Sequence, residues 1–308
     1  MKKYIRIGSR DSKLAIIQAE IVKKIIMDTR EDVEVSIITM KTSGDMILDR
    51  TLDEIGGKGL FVKELDIALR EKRVDLTVHS LKDMPMEIPE DLPVLAYTKR
   101  EDPRDALILK HSIRVSESEP EFEIKEIPQM RKIGSSAKRR KIQLETLFPD
   151  SESIPIRGNI QTRFQKLEEQ EYDAIVLAVA GLKRLNLMDK IYRIFEPEEI
   201  LPAAGQGILA VQGRENEGWE EYLKAVNNKE SEVTALAERA FVHTLDGGCS
   251  SPVAAYAQIQ RENMQITGLY YHETSGKYYK ETNQGKIENA KQLGIELAER
   301  MKRRYENE

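Results

Sequence analysis

Apolar positions recur along the chain with two periods, and the changes from one to the other mark its elements. Residues 3–7 carry Tyr4 and isoleucines and predict a first strand. Gly8-Ser9-Arg10-Asp11-Ser12 breaks it, and Leu14, Ile17, Ile21, Val22 and Ile25 return at helical spacing, with Asp11 or Ser12 as N-cap. Residues 33–40 predict a second strand, and residues 60–72 a helix burying Phe61, Leu65, Ala68 and Leu69. Val74, Leu76 and Val78 predict a third strand with those three on one face, and residues 92–98 a fourth. The alternation then resumes: strands at 106–109, near 133 and 155, and at 173–180, helices at 137–147 and 160–169. The strand at 173–180 is apolar throughout, as expected of one buried on both faces. A glycine-broken segment, 201–211, enters another apolar strand, and helices are expected at 217–227 and 231–245. Strands at 253–282, turning at Glu273-Thr274-Ser275-Gly276, and an amphipathic helix at 287–305 close the chain.

Strand and helix in alternation predict an α/β fold, followed by a smaller α+β region. Polar segments at 99–102 and 197–202 are the best places for the chain to pass into a second domain and back. The expected division is residues 1–98 with 198–216, residues 99–197, and residues 217–308. Residues 41–57 are polar and contain glycine, and 111–129 read as an acidic, exposed insertion.

Chemistry gathers first after the third strand, at His79, Ser80, Lys82 and Asp83. Pro85 restricts Met84 to extended backbone, so no helix starts there. Ligands of open α/β sheets sit beyond the carboxyl ends of strands, which makes Lys82-Asp83 a candidate site. The same residues also suit a solvated turn with a surface ion pair. Arg10, Arg139, Arg140, Arg157, Arg163 and Arg184 lie at or near strand-to-helix junctions. Helix N-termini present unpaired N–H groups, and a guanidinium matches a carboxylate with two hydrogen bonds. Together they predict a cleft for a ligand with many negative groups. Gly56-Gly57-Lys58-Gly59 lacks the spacing of a phosphate loop and reads as a glycine turn.

Composition narrows the classes. The 308 residues are 40% hydrophobic and 33% charged, enough for real cores, and no apolar run suggests a membrane span. The basic start is followed by no long apolar region, so a cytoplasmic location is expected. Formal charge is -5, with both signs interspersed, which disfavours duplex nucleic acid as a partner. The one cysteine, Cys249, excludes an internal disulfide and a Cys-rich zinc site, and the four histidines show no ligand spacing, so no metal is expected. Cys249 sits in a tight loop, Asp246-Gly247-Gly248-Cys249-Ser250-Ser251-Pro252. It reads either as an inert residue or as a thiol presented for modification.

In order along nearly the whole chain, several segments resemble the hydroxymethylbilane synthases, or porphobilinogen deaminases. They are Gly8-Ser9-Arg10-Asp11-Ser12-Lys13-Leu14-Ala15, residues 56–65, His79-Ser80-Leu81-Lys82-Asp83-Met84-Pro85, residues 134–140, Arg157-Gly158-Asn159 with Arg163, residues 181–185, residues 202–207, and Gly247-Gly248-Cys249. The resemblance implies two periplasmic-binding-protein-like (type II) α/β domains and a smaller α+β domain. It implies a monomeric cytoplasmic transferase of porphyrin biosynthesis that joins four porphobilinogen molecules head to tail, with loss of ammonia. It further implies a dipyrromethane cofactor held by a thioether to Cys249, with Asp83 as the essential carboxylate. Ser80, Lys82, Ser136, Arg139, Arg140 and Arg163 would bind the cofactor, and Arg10, Ser12, Arg157 and Arg184 the substrate. Departures from the family pattern are Glu54, Ala137, Lys138, Ser250 and the long acidic stretch at 116–126. The alternative is a non-enzymatic two-lobed protein binding a small polyanion.

Overall fold

The computed structural model describes residues 2–42, 62–111, 130–247 and 251–305. The readings made above for Glu54, Phe61, the glycine turn at 56–59, the acidic insertion, Cys249 and Ser250 lie outside the described residues.

β1 (Lys3–Arg10) leads through α1 (Lys13–Thr29) to β2 (Val33–Met40), parallel and in register beside it. α2 (Lys63–Arg70) precedes β3 (Leu76–Ser80), parallel to β1 on its other side, and β4 (Val94–Tyr97) follows. The chain then crosses to a second sheet: β5 (Asp105–Leu109), β6 (Lys132–Gly134), α3 (Lys138–Leu147), β7 (Glu152–Ile154), α4 (Ile160–Glu169), β8 (Ala174–Ala178), α5 (Val179–Arg184) and β9 (Arg193–Phe195). It returns as β10 (Leu209–Gly213), which inserts antiparallel between β3 and β4. The sheet orders are β2-β1-β3-β10-β4 and β7-β6-β8-β5-β9. Each is a parallel trio joined by an antiparallel strand, β10 or β5, that arrives from the other sheet. This is the expected pair of type II binding-protein-like α/β domains. The remaining chain forms α6 (Lys229–Thr244), β11 (Ala254–Gln260), β12 (Asn263–His272), β13 (Lys277–Lys286) and α7 (Ala290–Tyr305), an antiparallel sheet packed on two helices.

Packing explains where the periodicity misled. α1 buries Ala15, Ala19, Val22 and Ile26, one position off the expected stripe, because the alanines let it approach Ile5, Ile7 and Val78 closely. β3 starts at Leu76, and Val74 belongs to a separate cluster with Ala68, Leu69 and Leu92. Thr77 and His79 are buried as well as Leu76 and Val78, so β3 is covered on both faces. The segment expected as a strand to residue 180 turns helical at Val179. The helix expected at 217–227 is only a turn, Glu220–Leu223, beginning after Gly218 at φ 72°.

Glu238 of α6 is fully buried at the joint between the parts. It accepts both arms of Arg100 from the first crossing, at 2.8 and 2.6 Å. It also accepts Gly205 N from the second crossing and Ala257 N from β11, each at 2.7 Å. No helix among the described residues is long and apolar enough to cross a membrane.

Candidate active site

The end of β3 makes the base of the site. Leu81 N donates to Ile208 O at 3.0 Å, and Leu81 and Met84 are buried against Ile208 and Ala210. A single 3-10 turn, Leu81–Asp83, results, and Met84 is extended before Pro85. With Leu81 and Met84 facing inward, Asp83 is exposed to a cleft of about 1120 Å³ between the two α/β domains. That exceeds the roughly 300–1,000 Å³ of ordinary small-molecule pockets, so the space suits a ligand larger than one ring.

Among the described residues, Arg10, Lys13, Lys41, Lys82, Lys138, Arg140, Lys141, Arg157, Arg163 and Arg184 line this cleft, against Asp11 and Asp83. The N-termini of α1 and α4 also reach it. Ser12 Oγ caps α1 by accepting Ala15 N, and Asn159 caps α4 by accepting Thr162 N at 2.9 Å. Ser80 Oγ accepts Gln18 Nε2 at 2.9 Å, and Ser136 Oγ donates to Ile156 O at 2.7 Å.

The cleft is thus a strongly positive field around two carboxylates, Asp83 after β3 and Asp11 after β1. Burial pushes the Lys82 ammonium down to about 8, with Asp83 opposing. Burial, with Arg140 adding, pushes the Arg163 guanidinium down to about 10, Asp83 again opposing, and it stays charged at neutral pH. Burial likewise brings Arg184 to about 10, with Glu101 opposing. His79 is no proton donor at neutral pH, since burial and then Arg10 push it down to about 4. Its Nε2 lies 2.9 Å from Thr77 Oγ1. No His, Cys, Asp and Glu cluster among the described residues could hold a metal ion.

The structure brings Ser80, Lys82, Asp83, Ser136, Arg140, Arg163, Arg10, Ser12, Arg157 and Arg184 to the one cleft. Arg139 is placed elsewhere. It is buried behind the wall, donating to Asp105 Oδ2 at 2.6 Å, Leu201 O at 3.0 Å and Gln206 Oε1 at 2.9 Å. Arg184 lies in the last turn of α5, not at a helix start, and one arm donates to Gly207 O at 2.7 Å. Cys249 is outside the described residues. Two residues that the sequence did not single out stand behind the wall. Asp105, fully buried, accepts Arg140 Nη2 at 2.7 Å besides Arg139, and Gln206 joins this pair to Lys82. The only local sign of either was the glycine pair flanking Gln206.

A dipyrromethane carries four carboxylates, and the wall fits such a group. Arg140 Nε and Arg157 Nη1 are buried donors with no hydrogen-bond partner among the described residues, and both side chains line the cleft. Orphaned donors of this kind suit incoming carboxylate oxygens.

Comparison with known proteins agrees. A family model described as "Porphobilinogen deaminase, dipyromethane cofactor binding domain" matches residues 5–221, and the family's C-terminal domain model matches residues 233–303. Porphobilinogen deaminase from Ruminiclostridium cellulolyticum is 53% identical over 97% of this chain and 98% of its own. Those from Ruminiclostridium josui and Acetivibrio thermocellus are 54% and 50% identical over similar shares. Among solved structures, the methionine binding protein MetQ aligns only loosely, at TM-score 0.44 and 11% identity, over 74% of this chain and 92% of its own. With both family models matched in order and full-length relatives half or more identical, the chain belongs to the porphobilinogen deaminase family.

Proposed function

We propose that Asp83 is the carboxylate used at each condensation as this transferase joins four porphobilinogen molecules into hydroxymethylbilane. The observation that carries the reading is that strand-end carboxylate, exposed at the base of a cleft walled by guanidinium and ammonium groups. Porphobilinogen is the family's substrate, and residues 5–221 are a dipyrromethane cofactor-binding domain. When bound, that group supplies the pyrrole to which the first substrate is joined; we assign its attachment to a thioether on Cys249.

Every substrate ring brings an acetate and a propionate. Arg10, Ser12, Arg157 and Arg184 are assigned to these carboxylates. Ser80, Lys82, Ser136, Arg140 and Arg163 are assigned to the cofactor's, with Arg139 supporting them from behind through Asp105 and Gln206. Asp83 accepts a pyrrole N–H and offsets the positive charge that develops as the substrate's carbon–nitrogen bond breaks. It then takes up the proton released once the new carbon–carbon bond has formed. Lys82 and Arg163 stand beside it. Residues 1–98 with 198–216, 99–197 and 217–308 are assigned as the three domains, supported by the membership of the three sheets. We assign action as a cytoplasmic monomer, and action without nucleic acid, the last supported by the acidic charge balance. The polyanion-binding alternative is not favoured by the family relationship.

Intact mass under denaturing conditions tests the reading. The purified chain should exceed its sequence mass by two pyrrole units. Brief exposure to porphobilinogen should add further single units, and Cys249→Ala should carry none. A chain at its sequence mass that gains nothing from porphobilinogen would overturn the proposal.

A further inference from the structure

Asp83 sits on a single turn, so its position depends on what holds the two ends of that turn. The entering end is tied to the first sheet, where Leu81 N donates to Ile208 O at 3.0 Å. The leaving end runs into residues 84–93, which belong to no helix or strand. Pro85 there has no N–H to give. Backbone of this kind keeps its place only where other elements hold its carbonyls.

α6 does so. Ala235, Arg239 and His243 are spaced four apart on it, and so share one face. They follow residues 81–87 in order. Ala235 packs with Leu81 and Met84. Arg239 Nη2 donates to Pro85 O at 2.6 Å and to Met86 O at 3.0 Å. His243 Nε2 stands 4.0 Å from Glu87 Oε1. Met86 itself packs against the core that α6 and α7 form with the antiparallel sheet. The His243–Glu87 pair is exposed and screened by solvent. Arg239 is half-buried, and its bonds are charge-assisted and directional, so it is the contact that fixes the backbone.

We propose that Arg239 is a positioning residue for Asp83. By holding the two carbonyls that follow the Leu81–Asp83 turn, it sets where the carboxylate stands in the cleft. The inference rests on the reading of Asp83 as the carboxylate of each condensation. Arg239 does not line the cleft, so it acts on the reaction through the backbone alone. The groups assigned to substrate carboxylates stand on other elements. Arg10 ends β1, Arg157 lies just before α4, and Arg184 ends α5. Loosening the turn therefore moves Asp83 and leaves them in place.

Arg239→Met keeps the bulk of the stem and removes the donors. Lys82 shares the turn, so rates are taken per chain that carries two pyrrole units by denaturing mass, which divides out any loss of cofactor. On that basis kcat should fall roughly ten- to a hundred-fold, as a misplacement of about 1 Å does, while KM for porphobilinogen holds. Arg239→Lys, which still donates, should recover part of the rate. In a chain already carrying Asp83→Asn, Arg239→Met should cost nothing further, because its effect runs through the missing carboxylate. A merely structural arginine would lower the urea midpoint and leave kcat per loaded chain where it was. That result, or a loss that multiplies with the loss in Asp83→Asn, overturns the role of Arg239 alone. Should Arg239→Met not fold, Arg239→Lys with and without Asp83→Asn carries the same comparison. Normal turnover in Asp83→Asn overturns the reading of Asp83, and the proposal with it.

Discussion

Removing the charge of Asp105 should cost this fold more than removing any exposed carboxylate of the same kind. Asp105 opens β5 with no exposed surface, between two guanidinium groups that are themselves only 5% exposed. Asp105→Asn keeps the volume but leaves Arg139 and Arg140 buried without a counter-charge. Breaking a buried pair from one side costs about 3–5 kcal/mol. Arg70 and Asp91 also share two hydrogen bonds, here from one guanidinium at 2.7 and 3.1 Å, but in the open, with side chains 46% and 55% exposed. Asp91→Asn should leave the unfolding transition where it is, because solvent screens that pair. Urea unfolding at pH 7, followed by circular dichroism, compares the two variants directly. Trp219, although it falls in the segment assigned to the third domain, packs in the core around β1, β2 and β3, so its fluorescence shows how far the damage spreads beyond the second sheet. Burial acts to raise the Asp105 carboxyl, but Arg139 and Arg140 overcome it and hold it far below the ordinary range. A depressed carboxyl contributes stability above its unfolded value, about 3.9, that is lost as pH falls through the folded one. The gap between the unsubstituted chain and Asp105→Asn should therefore be full at pH 7 and close only in strong acid. A loss below about 1 kcal/mol at pH 7, the ordinary worth of an exposed pair, would refute the reasoning.

His79 should make the fold acid-sensitive in a different window. Held near 4 in the folded chain against about 6.5 unfolded, it loses up to about 3 kcal/mol of stability as pH falls between those values. Urea midpoints at pH 7 and pH 5 should therefore differ less in His79→Gln than in the unsubstituted chain, and an equal difference in both would count against its burial as a neutral ring. Asp83→Asn, altering an exposed side chain, should keep the unfolding transition while product release falls about 10²–10⁴-fold; normal turnover would remove Asp83 from the chemistry. Lys138→Gln relieves a first turn of α3 that carries four basic residues, no acid and no side-chain cap. It should stabilise the chain by about 0.3–1 kcal/mol and raise KM, both measurable on one preparation. A lower KM would show that Lys138 does not serve the cleft.

The legible parts of this protein are those whose cause is local. Pro85 and the polar run before it announced a strand end with a projecting carboxylate, since a proline restricts its neighbour wherever it stands. Arg10, Ser12, Arg157 and Arg163 could be read as cleft residues because a break between strand and helix puts side chains at one end of a sheet. Arg139 was misplaced because nothing nearby distinguishes it from Arg140. Their separate fates are decided by Asp105 and Leu201, distant in sequence. Asp105, Gln206 and Glu238 escaped notice for the same reason. A charged or amide residue beside a chain crossing looks solvated until its partners are known, and theirs come from other elements. The two α/β domains share one strand scheme, yet no internal repeat shows in the sequence, because equivalent backbones were filled with different side chains.

Glu238 has a mechanical consequence. It fastens both crossings to α6, the helix that leads through Gly247 into the segment bearing Cys249. The same helix is also fastened to the first sheet's side: Arg239 donates to Pro85 O and Met86 O at 2.6 and 3.0 Å, and Ala235 packs with Leu81, Met84 and Ala210. Any rotation of the second sheet against the first would widen or narrow the space between them while α6 stayed with the first. One wall of the cleft can then be reset while the other keeps the helix that leads on to residue 247.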